Sequence, residues 1–123
     1  MTVTAYTLAV VLDLFILFIG ARFLLQPKAS AVGYGVPADP NGDASAYLAI
    51  KGLRDGAFGV IGLALLAFAG ARAEAWFMLC VALVPLFDTV IVLRHGGTRA
   101  VAYGIHFATA VVVLISAALL FLV

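Results

Sequence analysis

Four long apolar stretches, at about residues 3–25, 46–69, 75–93 and 99–122, limit the folds open to this chain. Each has roughly the 20 residues that a helix needs to cross a bilayer core of about 30 Å. Helices are expected because unpaired backbone groups cannot face lipid, and the alternating pattern of a membrane barrel is absent. The composition agrees, since 66% of the residues are hydrophobic and 11% are charged. We therefore predict an all-α integral membrane protein, a bundle of four antiparallel transmembrane helices in a single domain spanning 1–123.

Charged residues near the loops predict the orientation of this bundle. The first and third loops, with the helix ends beside them, carry Arg22, Lys28, Lys51, Arg54, Arg94 and Arg99, whereas the opposite side carries Arg72. The positive-inside rule then places the first and third loops in the cytoplasm and both termini outside the cell membrane. Asp13 interrupts the first stretch and no basic segment precedes it, so we expect a retained span rather than a cleaved signal.

Several functions are excluded or disfavoured by composition. A net charge of +1 provides no basic field for nucleic acid. Cys80 is the sole cysteine of the sequence, which excludes an internal disulfide and a thiolate cluster, and we expect it to pack as a small hydrophobe. His95 and His106 are not spaced as a metal pair, so no metal site is predicted. No cofactor is identified.

Ionisable residues of the spans gather at similar depths. With a rise of 1.5 Å per residue, Lys51 lies about 8–10 Å from the cytoplasmic end of its span, and Arg54 and Asp55 about 13–15 Å. Asp88 and His106 fall at comparable depths, whereas the outer half of the membrane is expected to contain almost pure hydrocarbon. Ionisable groups within spans cost about 2.5–3.5 kcal/mol each and usually mark functional sites.

Helical spacing then predicts which side chains meet. At about 100° per residue, one face of the second span carries Tyr47, Lys51, Arg54, Asp55 and Phe58. Tyr103 and His106 share a stripe on the fourth span. We predict a pocket in which Asp88 and His106 are catalytic and the ligand-binding residues are Lys51, Arg54, Asp55, Tyr47 and Tyr103. The alternative is a salt-bridge network, Arg54 with Asp88 and Lys51 with Asp55, that only fixes the helix register.

Glycine and proline add three local expectations. Gly52, Gly56 and Gly59 form a smooth flank on which another helix can pack closely. Pro85 cannot donate a hydrogen bond to the carbonyl of Val81, which predicts a kink near Asp88. The segment "AVGYGV" in the first loop lacks the pore helix that a potassium-channel filter needs, and we interpret it as a cap over the pocket mouth.

The motifs "FIGARFLLQP", "GYGVPADP", "YLAIKGLRDGAFGVIGLALL", "VPLFDTVIVLRHGG" and "AYGIHFATA" resemble a family of small four-helix membrane proteins, domain of unknown function 4267. The resemblance covers nearly the whole chain and implies a multi-pass membrane protein without an established activity. Its most specific positions are Lys51, Arg54 and Asp55, Asp88 with Pro85, and His106; Asp13 lies outside these motifs. The layout is also similar to DoxX-type proteins, some of which are subunits of quinone-linked oxidoreductases, on architecture alone.

Three functions remain open from the sequence. The first is a pocket for a small amphiphilic molecule, anionic or carbonyl-bearing, entered from the cytoplasm or the inner leaflet, with a cofactor-free proton transfer or isomerisation by Asp88 and His106. The second is a proton-coupled transporter of a small solute or ion. The third is a non-catalytic membrane subunit of a redox complex. The expected partners are the lipid bilayer and a lipid-like or small-molecule ligand, and a homodimer is an open alternative to the monomer.

Overall fold

The fold consists of membrane-length helices joined by short connections. A computed structural model of the protein describes residues 1–39 and 41–123. Over this part of the chain the helices are α1 (Thr2–Leu25), α2 (Pro27–Tyr34), α3 (Ala44–Ala69), α4 (Ala71–Arg94) and α5 (Arg99–Phe121). Four of them, all except α2, are long and apolar enough to cross a membrane, and no strand occurs in the described residues. The prediction of an all-α, multi-pass, four-helix membrane bundle is therefore confirmed.

The start of α4 differs from the sequence prediction. This helix begins at Ala71 rather than near residue 75, because only Gly70, with a φ of +93°, separates it from α3. Glycine adopts this left-handed conformation without the strain that a side chain would add. The segment expected to be a loop is thus the first turn of α4. Glu74 consequently lies in the first turn of a span and not in a loop.

Two of the spans are interrupted next to their polar residues. In α4 the α-helix stops at Val81 and resumes at Leu83, just before Pro85, where the missing proline donor leaves the ladder of hydrogen bonds incomplete. A kink near Asp88 stays a prediction. In α5 a π-helical stretch, Ala102–Phe107, precedes the regular helix Ala108–Phe121, and α3 ends in a second π-helical stretch, Leu65–Ala69. A π-helical turn is wider than an α-helical turn, so it changes the direction of the side chains that follow.

The helices are arranged around α1, which packs against both α3 and α5, while α4 packs mainly against α5. Contact between α3 and α4 is sparse except at the π-helical end of α3, beside the turn that joins the two helices. Many large apolar side chains are exposed on the outside of the bundle. Cys80 is exposed as well, so the expectation that it packs as a small hydrophobe is not met. The core near the chain termini contains mostly small residues, as is typical of helix contacts in membranes: Ala5, Ala9, Ala75, Met78, Ala117 and Leu120.

Glycines determine how closely α1 and α3 approach. A Cβ atom added to Gly20 of α1 would lie 2.6 Å from the backbone oxygen of Gly52 on α3. One added to Gly59 would lie 3.0 Å from Cβ of Leu17 on α1. The glycine flank of α3 therefore packs against α1 of the same chain, as the sequence predicted for a neighbouring helix. Most of the glycine flank is thus covered by α1 of the same chain and is not free for a second copy. The homodimer stays a prediction.

Replacing Gly20 by alanine tests this contact. The added methyl group would collide with backbone atoms of α3, which cannot rotate away as a side chain can. We expect a loss of about 1–3 kcal/mol in the free energy of unfolding, measured by denaturation in detergent micelles. Gly104→Ala is the control, because a Cβ atom at Gly104 meets nothing within 4 Å. Equal stability of both variants would contradict the close helix contact.

Candidate functional site

A cavity of about 160 Å³ lies between the four spans. Most of its wall is apolar and comes from α1, α4 and α5. Its polar side chains are Asp13 of α1, Tyr34 of α2, Lys51 and Asp55 of α3, Asp88 of α4, and His106 and Thr109 of α5. Phe15, Val84 and Ile105 also line the cavity although each is more than 40% exposed, so the cavity is not sealed from its surroundings.

Tyr34, the last residue of α2, lies at the centre of the polar groups. Its hydroxyl donates a hydrogen bond to the Asp88 carboxylate. Its backbone oxygen accepts a hydrogen bond from Nε2 of His106, at 2.7 Å, and the two rings are 4.2 Å apart. A carbonyl oxygen can only accept, so this contact requires a proton on Nε2 and leaves Nδ1 of a neutral imidazole as a proton acceptor. One residue of the first loop thus connects α4 with α5.

Lys51 forms the opposite wall of this polar cluster. Its Nζ atom lies 2.6 Å from Oδ2 of Asp55, one helical turn away, and the Asp55 side chain is 7% exposed. The ammonium group also lies 4.7 Å from the ring centre of Phe23 and 4.3 Å from that of Tyr34. An aromatic ring attracts a cation that lies over its face. The charge of Lys51 is therefore stabilised by a carboxylate and by two rings.

The electrostatic surroundings keep Tyr34 in its protonated form. Burial of the phenol, followed by the negative charge of Asp88 and its hydrogen bond to the hydroxyl, raises the pKa of Tyr34 well above its ordinary value, and the charge of Asp55 adds to this effect. A phenol that holds its proton remains a hydrogen-bond donor to Asp88 over the physiological range. The connection between α2 and α4 is therefore maintained at neutral pH.

Four of the residues predicted for the site are brought together, and three are not. Lys51, Asp55, Asp88 and His106 line the same cavity. The other three, which do not line it, are exposed residues: Tyr47, Arg54 and Tyr103. The ion pair considered between Arg54 and Asp88 is accordingly replaced by the bond from Tyr34, whereas the pair between Lys51 and Asp55 is present.

Helix rotation explains why these three side chains lie outside the cavity. The buried stripe of α3 consists of Leu48, Gly52, Asp55, Gly59 and Gly62, so the glycine flank is turned inward. Of the predicted charged face, only Lys51, Asp55 and Phe58 reach the cavity. Tyr47 and Arg54 are consequently rotated toward the surroundings. In α5 the π-helical stretch breaks the 100° spacing, and His106 is buried while Tyr103 is 52% exposed.

Tyr34 was missed by the sequence analysis, although its position carried a signal. Pro27 is the first residue of α2, and Gly35 ends that helix with a φ of +94°. Proline at the start and glycine after the end are typical of a short helix. Tyr34 of the glycine-rich segment lines the cavity, but its helix and its aromatic contact were not predicted. A cap over the pocket mouth stays a prediction.

Glu74 was also missed, because it was assigned to a loop. Its side chain is fully buried, with an exposure of 0%, and it neighbours Asp13 of α1. His95, by contrast, is exposed and its Nδ1 atom lies 2.8 Å from the backbone oxygen of Ile91. Within the described residues no group of three or more histidine, cysteine or acidic side chains is arranged to hold a metal ion.

Residues 14–120 match the family described as domain of unknown function DUF4267. The chain belongs to this family. The match includes the cavity residues Tyr34, Lys51, Asp55, Asp88 and His106, and Asp13 lies one residue before it. No curated protein and no solved structure matches the chain. The DUF4267 family thus supplies a sequence class for the bundle but no reaction.

Lys51→Met tests the ion pair of the cavity. Removing the ammonium group leaves the buried Asp55 carboxylate unpaired, which typically costs about 3–5 kcal/mol. We expect a corresponding loss of stability in detergent, and partial recovery in the double variant Lys51→Met/Asp55→Asn, which buries no unpaired charge. Lys28→Met, at an exposed lysine of α2, is the control and should change stability by less than about 0.5 kcal/mol. Equal effects at Lys28 and Lys51 would contradict the buried pair.

Proposed function

We propose that the cavity binds a small, mainly apolar molecule that carries a carbonyl group, and that Asp88 and His106 move a proton on this molecule. The observation that carries the proposal is the composition of the cavity wall. Its wall is largely apolar, while an acid, an imidazole and an ammonium group surround Tyr34. An apolar pocket with a few convergent polar groups is the usual form of a small-molecule site.

The volume of the cavity supports a small ligand. A buried cavity of about 150 Å³ accepts a molecule of the size of benzene. The present cavity, at about 160 Å³, is similar. A longer apolar tail would leave the bundle between α3 and α4, away from the turn that joins them, where their contact is sparse. The rings of Phe58 and Phe77 lie 6.4 Å apart across this boundary. Entry from the lipid through the same gap is consistent with the inner-leaflet route predicted from the sequence.

The charges favour a carbonyl-bearing ligand over an anionic one. Lys51 is paired with Asp55, and the Asp88 carboxylate is hydrogen-bonded to Tyr34 rather than to a cation. A ligand anion would therefore meet an uncompensated carboxylate, which is costly away from water. An ammonium group has three donors. With one used by Asp55, Lys51 can still donate to a carbonyl oxygen of a neutral ligand.

Proton transfer next to this carbonyl needs no cofactor. In the proposed reaction, one of Asp88 and His106 removes a proton from the carbon beside the carbonyl, and the other returns a proton at a second position. Lys51 stabilises the negative charge that develops on the oxygen in between. Protons and electrons balance, because the product is an isomer of the substrate. His106 is suited to the role of base through the free Nδ1 that its bond to Tyr34 leaves.

Of the alternatives, proton-coupled transport is favoured by one observation, the buried Asp13 and Glu74 on the side of the termini. The redox-subunit hypothesis stays a prediction.

For the orientation in the membrane, we infer that α2 and the third loop face the cytoplasm. Arg54 supports this inference, because it is exposed and outside the cavity and therefore counts as a topological charge.

Labelling tests the orientation. In a Cys80→Ala background, we expect Thr2→Cys to react with a membrane-impermeant maleimide on intact cells, and Asn41→Cys to react only after the membrane is opened. Both positions are exposed and lie at opposite ends of the bundle. The reverse pattern would place α2 outside. Labelling of the Cys80→Ala parent provides the background level.

Deuterium exchange tests the chemistry with a defined probe. Cyclohexanone has about the size of the cavity, and its carbon-bound protons next to the carbonyl exchange with D₂O when a base removes them. We expect the protein in lipid nanodiscs to accelerate this exchange, measured by mass spectrometry. Asp88→Asn and His106→Gln should each lower the rate by about 10²-fold or more, the usual contribution of a general acid or base.

The controls for this assay are matched substitutions outside the cavity. Asp43→Asn and His95→Gln remove the same functional groups at exposed positions and should leave the rate unchanged. Size-exclusion profiles establish that each variant remains folded. Exchange no faster than in empty nanodiscs, or equal rates in the cavity and control variants, would reject the proposed reaction.

A further inference from the structure

A second buried polar site lies beyond the cavity, toward the chain termini. It consists of Asp13 on α1 and Glu74 on α4, whose carboxyl groups are close enough to interact. Glu74 is 0% exposed and Asp13 is 4% exposed. The proposed reaction uses neither residue. Burying two acidic groups side by side is costly, and such an arrangement in a membrane requires a compensating partner.

The unpaired oxygen atoms of Asp13 and Glu74 indicate what kind of partner would stabilise the two carboxyl groups. Within the described residues, neither side-chain oxygen of Glu74 has a hydrogen-bond partner, and Oδ2 of Asp13 has none. Ionised carboxylates can only accept hydrogen bonds, so the two groups cannot satisfy each other while both are charged. A single proton changes this relation, because one carboxylic acid then donates to the other carboxylate. The same proton removes one of the two buried charges.

The elements around the pair supply no compensating cation among the described residues. On α3 the neighbour of Asp13 is Gly62, where an added Cβ atom would collide with the carboxylate. Ser116 of α5 is fully buried close to the same core and is also unpartnered. Arg72 of α4 is exposed. Along the cavity that Asp13 lines, the titratable groups are Asp55 and Lys51 of α3, Asp88 of α4, His106 of α5 and Tyr34 of α2.

A bound metal cation fits these surroundings less well than a proton. Calcium and similar hard cations take about six to eight oxygen ligands, and magnesium takes six. The neighbouring core consists of apolar residues such as Ala5, Ala9 and Ala75, whose side chains offer no oxygen. Two carboxyl groups with one serine nearby would leave most positions around an ion empty. A proton needs only the two oxygens between which it lies.

We propose that Asp13 and Glu74 hold one shared proton that exchanges with the cavity through Asp13. Asp13 belongs to both regions, since it neighbours Glu74 and also lines the cavity with His106. Glu74 lies in the first turn of α4, near the end of the bundle that carries the termini. The pair is therefore positioned to pass a proton between that end and the cavity. This inference does not depend on the ligand proposed for the cavity.

Infrared spectroscopy of the full chain in nanodiscs tests the proposal. A protonated carboxylic acid has a carbonyl-stretch band separate from that of a carboxylate. At about pH 7 we expect this band in the wild-type protein, and we expect D₂O to shift it. Glu74→Gln and Asp13→Asn should each abolish it, because one ionised carboxylate can accept a hydrogen bond from the new amide. Both substitutions keep the shape of the side chain.

The controls separate this pair from other carboxyl groups. Asp39→Asn, in an exposed loop, should leave the band unchanged. Absence of the band in the wild type, or its loss in Asp55→Asn or Asp88→Asn but not in Glu74→Gln, would overturn the assignment. A band that does not shift in D₂O would overturn the exchange. Its removal by sodium chloride, but not by potassium chloride, at fixed pH would identify a sodium site and overturn the proton assignment.

Discussion

The close contact of α1 with α3 is the constraint on which the site depends. Where Gly20 meets Gly52, backbone atoms approach so closely that no side chain fits between them. Membrane helices are held together by such packing, because lipid provides no hydrophobic force that would drive them together. Once the glycines of α3 face α1, the rotation of α3 is determined. Asp55 then points into the bundle and Arg54 points away from it.

The absence of water explains the role of α2 in the site. A carboxylate in the membrane interior must find its donors within the protein. Asp88 receives its donor from Tyr34, which α2 carries into the bundle from a loop. The same residue accepts from His106 and contacts Lys51 through its ring. The first loop is therefore part of the polar cluster and not only a connection between two spans.

The sequence predicted the fold well because hydropathy and backbone chemistry together determine the number and class of the spans. Span number, helical class and the break before Pro85 all follow from length, backbone hydrogen bonding and a missing donor. Depth in the membrane was equally accessible, and it brought Lys51, Asp55, Asp88 and His106 into one cavity. The direction in which each side chain points around its helix axis could not be predicted in the same way, because it depends on packing partners and local geometry.

Two examples illustrate that limit. A spacing of 100° per residue assumes a regular α-helix, and the π-helical stretch of α5 violates this assumption between Tyr103 and His106. Glu74 was left outside the predicted spans, one of which ends at about residue 69 and the next of which begins at about residue 75, because a short polar motif resembles a loop. A single glycine with positive φ is sufficient to turn the chain from α3 into α4, and the polar motif then forms the first turn of a span.

Charge balance connects the cavity with the carboxyl pair. Among the described residues, the interior side chains include four carboxyl groups, those of Asp13, Asp55, Glu74 and Asp88, against the single ammonium group of Lys51. Lys51 neutralises one of them through its contact with Asp55. The other three carboxyl groups need compensation from elsewhere in a medium of low dielectric constant, and Asp88 obtains part of it from the Tyr34 hydroxyl. For Asp13 and Glu74, the compensation that we propose is one shared proton. The proposed proton transfer in the cavity and the proposed shared proton of the carboxyl pair thus both depend on this excess of interior acidic groups.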